Sequence, residues 1–170
     1  MSTDFITFND VKFTYPPFEK EINKPIFDHF TATLPGNFTS LVGPNGSGKS
    51  TFMLLAAGRV SPEQGTVHLF GKDLSTMKEQ ERNLTASFLY QNMEFETSEK
   101  VEELLKQVFE NGEFQGKSPA QFGNENIFEK VIEVFELKEI LNRSISGISK
   151  GELQRTLLGF SVLYGSKSIF

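Results

Sequence analysis

Gly43-Pro44-Asn45-Gly46-Ser47-Gly48-Lys49-Ser50 fits the spacing G-x-x-x-x-G-K-[ST], and Thr51 follows directly. Each residue type has a physical reason to be there. Glycines let successive backbone N–H groups turn inward around phosphate oxygens, and a helix opening at that point adds the partial positive charge of its N-terminus. Lys49 supplies a mobile ammonium for the outer phosphates, and the Ser50 hydroxyl can ligate Mg²⁺. A chain of this length matches the spacing by chance roughly once in 160. Context narrows that further, because the match follows the apolar run Phe38-Thr39-Ser40-Leu41-Val42 and enters a helix-prone stretch, Lys49 to Ala57. The alternative, a glycine-rich strand-to-helix turn with no ligand, is the weaker reading. The spacing predicts a nucleotide phosphate site.

The elements around the loop must hold it in place. Phe5-Ile6-Thr7-Phe8 and Val11-Lys12-Phe13-Thr14-Tyr15 read as two strands, stopped by Pro16-Pro17. Ile26 to Leu34 alternates, with Phe30, Ala32 and Leu34 at period two. Gly58 is a plausible residue just past the loop helix, Gly65 to Gly71 a glycine-bracketed strand, and Ala86 to Tyr90 a short buried strand ending at Gln91. The character then changes to helix. Val101, Leu104, Leu105, Val108 and Phe109 make an apolar stripe, Ile127 to Phe135 a second helix, and a third runs from near Ser149 to about Leu163. A loop-like stretch, 111–124, separates the first two, and a fresh apolar run begins at Ser168-Ile169-Phe170.

Composition sets the outer bounds. At 170 residues the chain is one domain or part of a larger one. No apolar run approaches the roughly 20 residues needed to cross a bilayer, and Met1-Ser2-Thr3-Asp4 does not open a signal peptide. The absence of cysteine excludes disulfides and thiolate zinc sites and fits a reducing cytosol. His29 and His68 are two histidines on apparent strands, read as surface or satisfied core residues. A net charge of −5 argues against general nucleic-acid affinity. That acidity is local: Glu94, Glu96, Glu99, Glu102, Glu103, Glu110 and Glu113 face only Lys100 and Lys106, a pattern read as a solvated helix face.

In order along the chain, these pieces resemble the nucleotide-binding domain of ATP-binding-cassette (ABC) proteins. The resemblance spans essentially all 170 residues. Val11 to Tyr15 looks like the family's A-loop, which implies that Tyr15 stacks on adenine through its ring face. Gly43, Pro44, Asn45, Gly46, Ser47, Gly48, Lys49, Ser50 and Thr51 match the family's phosphate loop. Ser61 to Val67 is similar to the family's link into a glycine-bounded strand. Gln91 falls at the Q-loop glutamine, which implies γ-phosphate sensing and a contact to Mg²⁺ or water. Ser149, Gly151 and Glu152 fall in the signature motif, although Lys150 and Glu152 depart from the common Leu-Ser-Gly-Gly-Gln wording. Alone, Tyr15 is a strand-end aromatic and Gln91 an ordinary strand end. Ser149-x-x-Glu152 is also a capping box, a role that coexists with facing a phosphate.

The resemblance implies an α/β fold: a P-loop NTPase with an ABC-type ATPase core, an antiparallel β subdomain and a helical subdomain insert. The core and β subdomain would occupy about 1–92, the helical subdomain and signature helix about 93–164, and the start of the Walker B strand 165–170. That last strand should lie beside Leu41 and Val42. The implied cofactors are ATP and Mg²⁺, with Lys49 and Gln91 in catalytic roles and Ser50 and Gln91 at the metal. The implied partners are a second ATP-binding subunit, in a head-to-tail homodimer or heterodimer, and a transmembrane transporter subunit. The implied place is cytoplasmic, peripheral on the inner face of a membrane. Family members carry an aspartate, a glutamate and a switch histidine beyond the position of Phe170, so residues 1–170 are expected to be inactive and poorly folded alone. The competing readings are a soluble ABC ATPase uncoupled from transport and an ATP-binding module without turnover.

Overall fold

The computed structural model describes residues 4–17, 23–36, 38–90, 92–113 and 126–170, in two compact units, 1–82 and 83–170. In the first unit the two aromatic runs form a single strand, β1 (Asp4–Phe13). Its buried residues change phase: Ile6 and Phe8, then Val11 and Phe13. A strict period of two would put the second pair on the opposite face. One extra residue near Asn9-Asp10 resets the alternation, because Phe8 pairs with Ala32 and Val11 with Phe30. That is a β-bulge, and Asp10 sits in it at φ 50°. The sequence reading of two strands is corrected to one bulged strand.

β2 (Phe27–Pro35) answers with an extra residue of its own, as Val11 pairs with Phe30 and Phe13 with Phe27. His29 sits in that irregularity at φ 51°, with its Nδ1 2.7 Å from Asp10 Oδ1. β3 (Gln64–Leu69) pairs with the other edge of β1, and β4 (Lys72–Asp73) follows, giving an antiparallel sheet in the order β2-β1-β3-β4. Gly65 fits against the bulge only because it lacks a side chain. A Cβ there would lie 2.3 Å from the Asn9 carbonyl oxygen, and its φ is +81°.

Helix α1 (Lys49–Ala56) packs on this sheet, and Gly58 follows its C-cap residue Ala57 as expected. The Phe52 ring stacks on Phe8 at 4.6 Å between centroids, and Phe30 meets Phe8 edge-on at 5.4 Å. Such aromatic pairs contribute about 0.5–1.5 kcal/mol beyond the burial of their area. The helix carrying the glycine-rich loop is therefore tied to the sheet by its second turn. Phe38 to Val42, expected as a strand, joins no ladder among the described residues, and Phe38 is 100% and Val42 90% exposed. The apolar run signalled a wish for burial, which by itself supplies no hydrogen-bonding neighbour. A short helix missed by the sequence reading, α2 (Glu79–Thr85), follows.

In the second unit β5 (Ala86–Ser87) is shorter than the expected Ala86 to Tyr90 strand. It pairs in parallel with β6 (Ser168–Ile169), Ala86 opposite Ser168 and Ser87 opposite Ile169. Ser168 thus begins a strand, as expected, and within this unit its partner is Ala86. The pairing continues one step further through the Leu89 N–H, which donates to the Phe170 carbonyl at 2.8 Å.

Among the described residues the α-helices α3 (Val101–Glu110), α4 (Ile127–Val134) and α5 (Lys150–Tyr164) follow in this unit. Val101 and Leu105 of the predicted stripe are fully buried, in a core shared with Ile127, Val131, Leu137, Ile140, Ile145 and Leu163. Burying one such aliphatic side chain contributes about 1.5–3 kcal/mol. Most of the predicted 111–124 loop lies outside the described residues.

Candidate functional site

The glycine-rich loop closes on its own lysine. Lys49 Nζ donates to the carbonyl oxygens of Gly43 at 2.8 Å and Pro44 at 2.7 Å. The Ser47 N–H donates to the Pro44 carbonyl at 3.3 Å, folding Pro44 to Ser47 into a turn. Asn45 and Gly46 form the exposed tip of that turn. Gly48 stands at the N-cap of α1 with φ 86°, and a Cβ there would press to 3.0 Å from the Ile26 side chain. Only glycine meets both conditions without strain.

No side chain caps α1. The first N–H groups of an α-helix have no partner within it, so an uncapped N-terminus beside an ammonium is a ready anion site. Ser50 is exposed in that first turn, and Thr51 beside it is 5% exposed. Among the described residues no cluster of three or more histidine, aspartate or glutamate side chains could hold a metal ion by itself. The donors present fit a cation that arrives on phosphate oxygens and takes one hydroxyl, that of Ser50.

Tyr15 lies two residues beyond the end of β1 and reaches this helix. Its hydroxyl is 3.2 Å from Thr51 Oγ1, across 36 residues of sequence. Phe13 stands perpendicular to the Tyr15 ring at 5.0 Å, and Tyr15 keeps 39% of its surface exposed. The structure thus brings Tyr15, Lys49, Ser50 and Thr51 together within the first unit. Sequence reasoning found all four positions but missed the hydroxyl contact, which no local pattern encodes.

In the second unit Ser149 is the N-cap of α5, and the capping box is closed in both directions. The Glu152 N–H donates to Ser149 Oγ at 3.3 Å, and the Ser149 N–H donates to the Glu152 carboxylate at 2.6 Å. Arg143 Nη1, unforeseen in the sequence, reaches the same carboxylate at 3.1 Å. The Ser149 backbone N–H, then the Ser149 hydroxyl, and more weakly the guanidiniums of Arg143 and Arg155 hold the Glu152 carboxyl below the usual carboxylate range. Gly151 is exposed and open on its Cα side, with nothing within 4 Å of where a Cβ would stand. Gln91 lies outside the described residues.

The ABC transporter family profile matches residues 30–169, from within β2 to the end of β6. The chain belongs to the ABC transporter family. Relatives of this nucleotide-binding domain include the hemin import ATP-binding protein HmuV of Rhodopseudomonas palustris, 31% identical over 122 residues, which are 72% of this chain and 44% of that protein. The lipoprotein-releasing system ATP-binding protein LolD of Leptospira interrogans is 29% identical over 143 residues, 79% of this chain and 56% of that protein. The chain therefore spans about half the length of these relatives.

The ABC domain also superposes on a solved cassette, MJ0796, in a dimeric post-hydrolysis state bound to ADP and Pi. The TM-score is 0.75 at 19% identity, covering 96% of this chain and 72% of the other. A nucleotide-free cassette from an ABC transporter gives a TM-score of 0.70 at 20% identity, with 98% and 67% covered. These likenesses establish the α/β ABC ATPase fold inferred from the motifs. No helix of this ABC domain, among the described residues, is long and apolar enough to cross a membrane.

Proposed function

We propose that this ABC domain binds MgATP at the Gly43–Thr51 loop and, in a head-to-tail dimer, hydrolyses it to drive a separate transmembrane partner at the cytoplasmic face of a membrane. The observation that carries the reading is the loop's own geometry: an ammonium curled onto the Gly43 and Pro44 carbonyls beside an uncapped helix N-terminus. Two neutral carbonyls are modest partners for a full charge. Phosphate oxygens are stronger ones, since hydrogen bonds between charged groups are roughly twice as strong as neutral ones. Arriving phosphates therefore draw Lys49 Nζ off the loop, and the loop and α1 N–H groups take the remaining oxygens.

Ser50 is the residue that would hold Mg²⁺, which when bound neutralises charge on the outer phosphates. In this reading Gln91 senses the γ-phosphate and touches Mg²⁺ or water. Ser149 and the Gly151 backbone come from the second copy and donate to the γ-phosphate at the start of its α5. Lys49 and those donors stabilise the charge that develops as the terminal bond breaks.

Calorimetric titration with MgATP tests this. Lys49→Ala leaves phosphate charge facing backbone dipoles alone, and losing a charged hydrogen bond costs about 1.5–3 kcal/mol, a tenfold or greater drop in affinity. Equal affinities in the two proteins would remove the phosphate-loop reading.

A further inference from the structure

The contact between Tyr15 and Thr51 joins two parts of the proposed site that recognise different halves of a nucleotide, and the inference drawn from it rests on the nucleotide reading above. Tyr15 stands beyond the last ladder residue of β1, so no strand partner fixes its backbone. What holds the residue, backbone and side chain, is local. The Asn23 amide donates to the Tyr15 carbonyl at 3.2 Å, the Phe13 ring stands perpendicular at 5.0 Å, and Thr51 Oγ1 meets the hydroxyl at 3.2 Å. Thr51 is buried, in the first turn of the helix that follows the glycine loop. A tyrosine ring has two side-chain torsions. A perpendicular neighbour limits one, and a hydrogen bond at the far end of the ring limits the other.

We infer that the Thr51 hydroxyl positions the Tyr15 ring as the platform for the nucleobase. Base recognition then depends on a hydrogen bond to the phosphate-loop helix, and Thr51 is a specificity residue acting through Tyr15. The ring face supplies the stacking surface. The hydroxyl keeps that face presented, so the ordering of the ring is done before the ligand arrives. Held this way, the platform distinguishes a purine nucleotide from a bare polyphosphate of the same charge.

The test titrates the whole chain with MgATP and separately with magnesium tripolyphosphate. It compares wild type, Tyr15→Phe, Thr51→Val, Thr51→Ser and the Tyr15→Phe/Thr51→Val double variant. Losing one hydrogen bond should lower the ratio of ATP to tripolyphosphate affinity about three- to tenfold in Tyr15→Phe and in Thr51→Val. The double variant should lose no more than either single one, because both remove the same bond. Thr51→Ser, which keeps the hydroxyl, should retain the wild-type ratio.

Multiplied losses in the double variant overturn the pairing. So does a Thr51→Val that weakens both ligands equally, since Thr51 then serves the phosphates alone, and so does a Thr51→Ser ratio as low as that of Thr51→Val. Tyr15→Phe keeps the test decisive should Thr51→Val fail to fold, because an unchanged ratio there is sufficient to reject the role. A wild-type chain that binds neither ligand removes the nucleotide reading and this role together. One that binds both while the ratio stays constant across all variants removes only the role.

Discussion

At the scale of single residues, the loop ammonium and the tyrosine ring make different kinds of contribution. Lys49 Nζ is satisfied by the Gly43 and Pro44 carbonyls in the structure, so its proposed work is an exchange of partners rather than the creation of a new charge. Tyr15 contributes area. Stacking a base on an aromatic ring is worth about 1–3 kcal/mol by alanine substitution, so Tyr15→Ala should weaken MgATP by that amount. The same variant should leave the thermal transition nearly in place, because Tyr15 is part-exposed and outside the sheet. Competition binding with a fluorescent ATP analogue measures the first effect and scanning calorimetry the second. A harmless alanine would mean that adenine is held by another residue. The position of Tyr15 was legible in the sequence through its register with the glycine loop. The hydroxyl contact was not, because it joins residues 36 apart whose meeting is set by how α1 lies on the sheet.

At the scale of elements, two short patterns carry most of the local order, and each can be tested. The α5 capping box holds the Glu152 carboxyl below its ordinary 4.5, chiefly through the Ser149 N–H. A carboxyl depressed on folding stabilises the folded state above its unfolded value, and that contribution is lost as pH falls through the folded value. Wild type should therefore lose stability to urea unfolding as pH drops below about 4.5. Glu152→Gln, already neutral, should show a shallower acid dependence. Parallel acid profiles would show that the carboxylate gains nothing from the cap. The second pattern is the β1 bulge, seated on Gly65. An alanine there would carry its Cβ 2.3 Å from the Asn9 oxygen at a φ of +81°. Gly65→Ala should destabilise the chain by more than about 1 kcal/mol, read from denaturant midpoints at constant slope. An unshifted midpoint would mean that the bulge relaxes freely.

These two patterns also mark where sequence reading succeeded and where it stopped. Ser149-x-x-Glu152 was readable because a capping box is local in sequence, and the α3 stripe because helical period is local too. The β1 bulge was not readable. It appears in the sequence only as a phase change between Phe8 and Val11, which looks like two strands until β2 and β3 fix the register. Phe38 to Val42 failed for the complementary reason: strand identity depends on a neighbour, and neighbours are a tertiary fact. α2 was missed because Glu79 to Thr85 is polar nearly throughout and offers no apolar period to count.

At the scale of the whole molecule, the candidate phosphate-facing residues fall on two helix N-termini that belong to separate compact units, α1 in 1–82 and α5 in 83–170. The two ends are built differently. α1 has no side-chain cap, which suits it to take phosphate oxygens on its own N–H groups. α5 is capped in both directions, Ser149 Oγ accepting from the Glu152 N–H and the Ser149 N–H donating to the Glu152 carboxylate. In the head-to-tail dimer proposed above, the α1 end of one copy and the α5 end of the other enclose one ATP, so each site takes Lys49 from one chain and Ser149 from its partner. That arrangement predicts complementation. Lys49→Ala dimers lack the ammonium at both sites, and Ser149→Arg dimers block both with a bulky side chain, so neither preparation should dimerise with MgATP in sedimentation. In a mixed dimer the two lesions fall on one site and leave the other wholly wild type. Equal mixing makes half the dimers mixed with one intact site each, so the mixture should hold roughly a quarter of the wild-type sites. Sedimentation of the mixture with MgATP should then show a dimer that neither parent forms. Were Lys49 and Ser149 of the same chain to serve one site, every site in the mixture would carry a lesion and no dimer would appear.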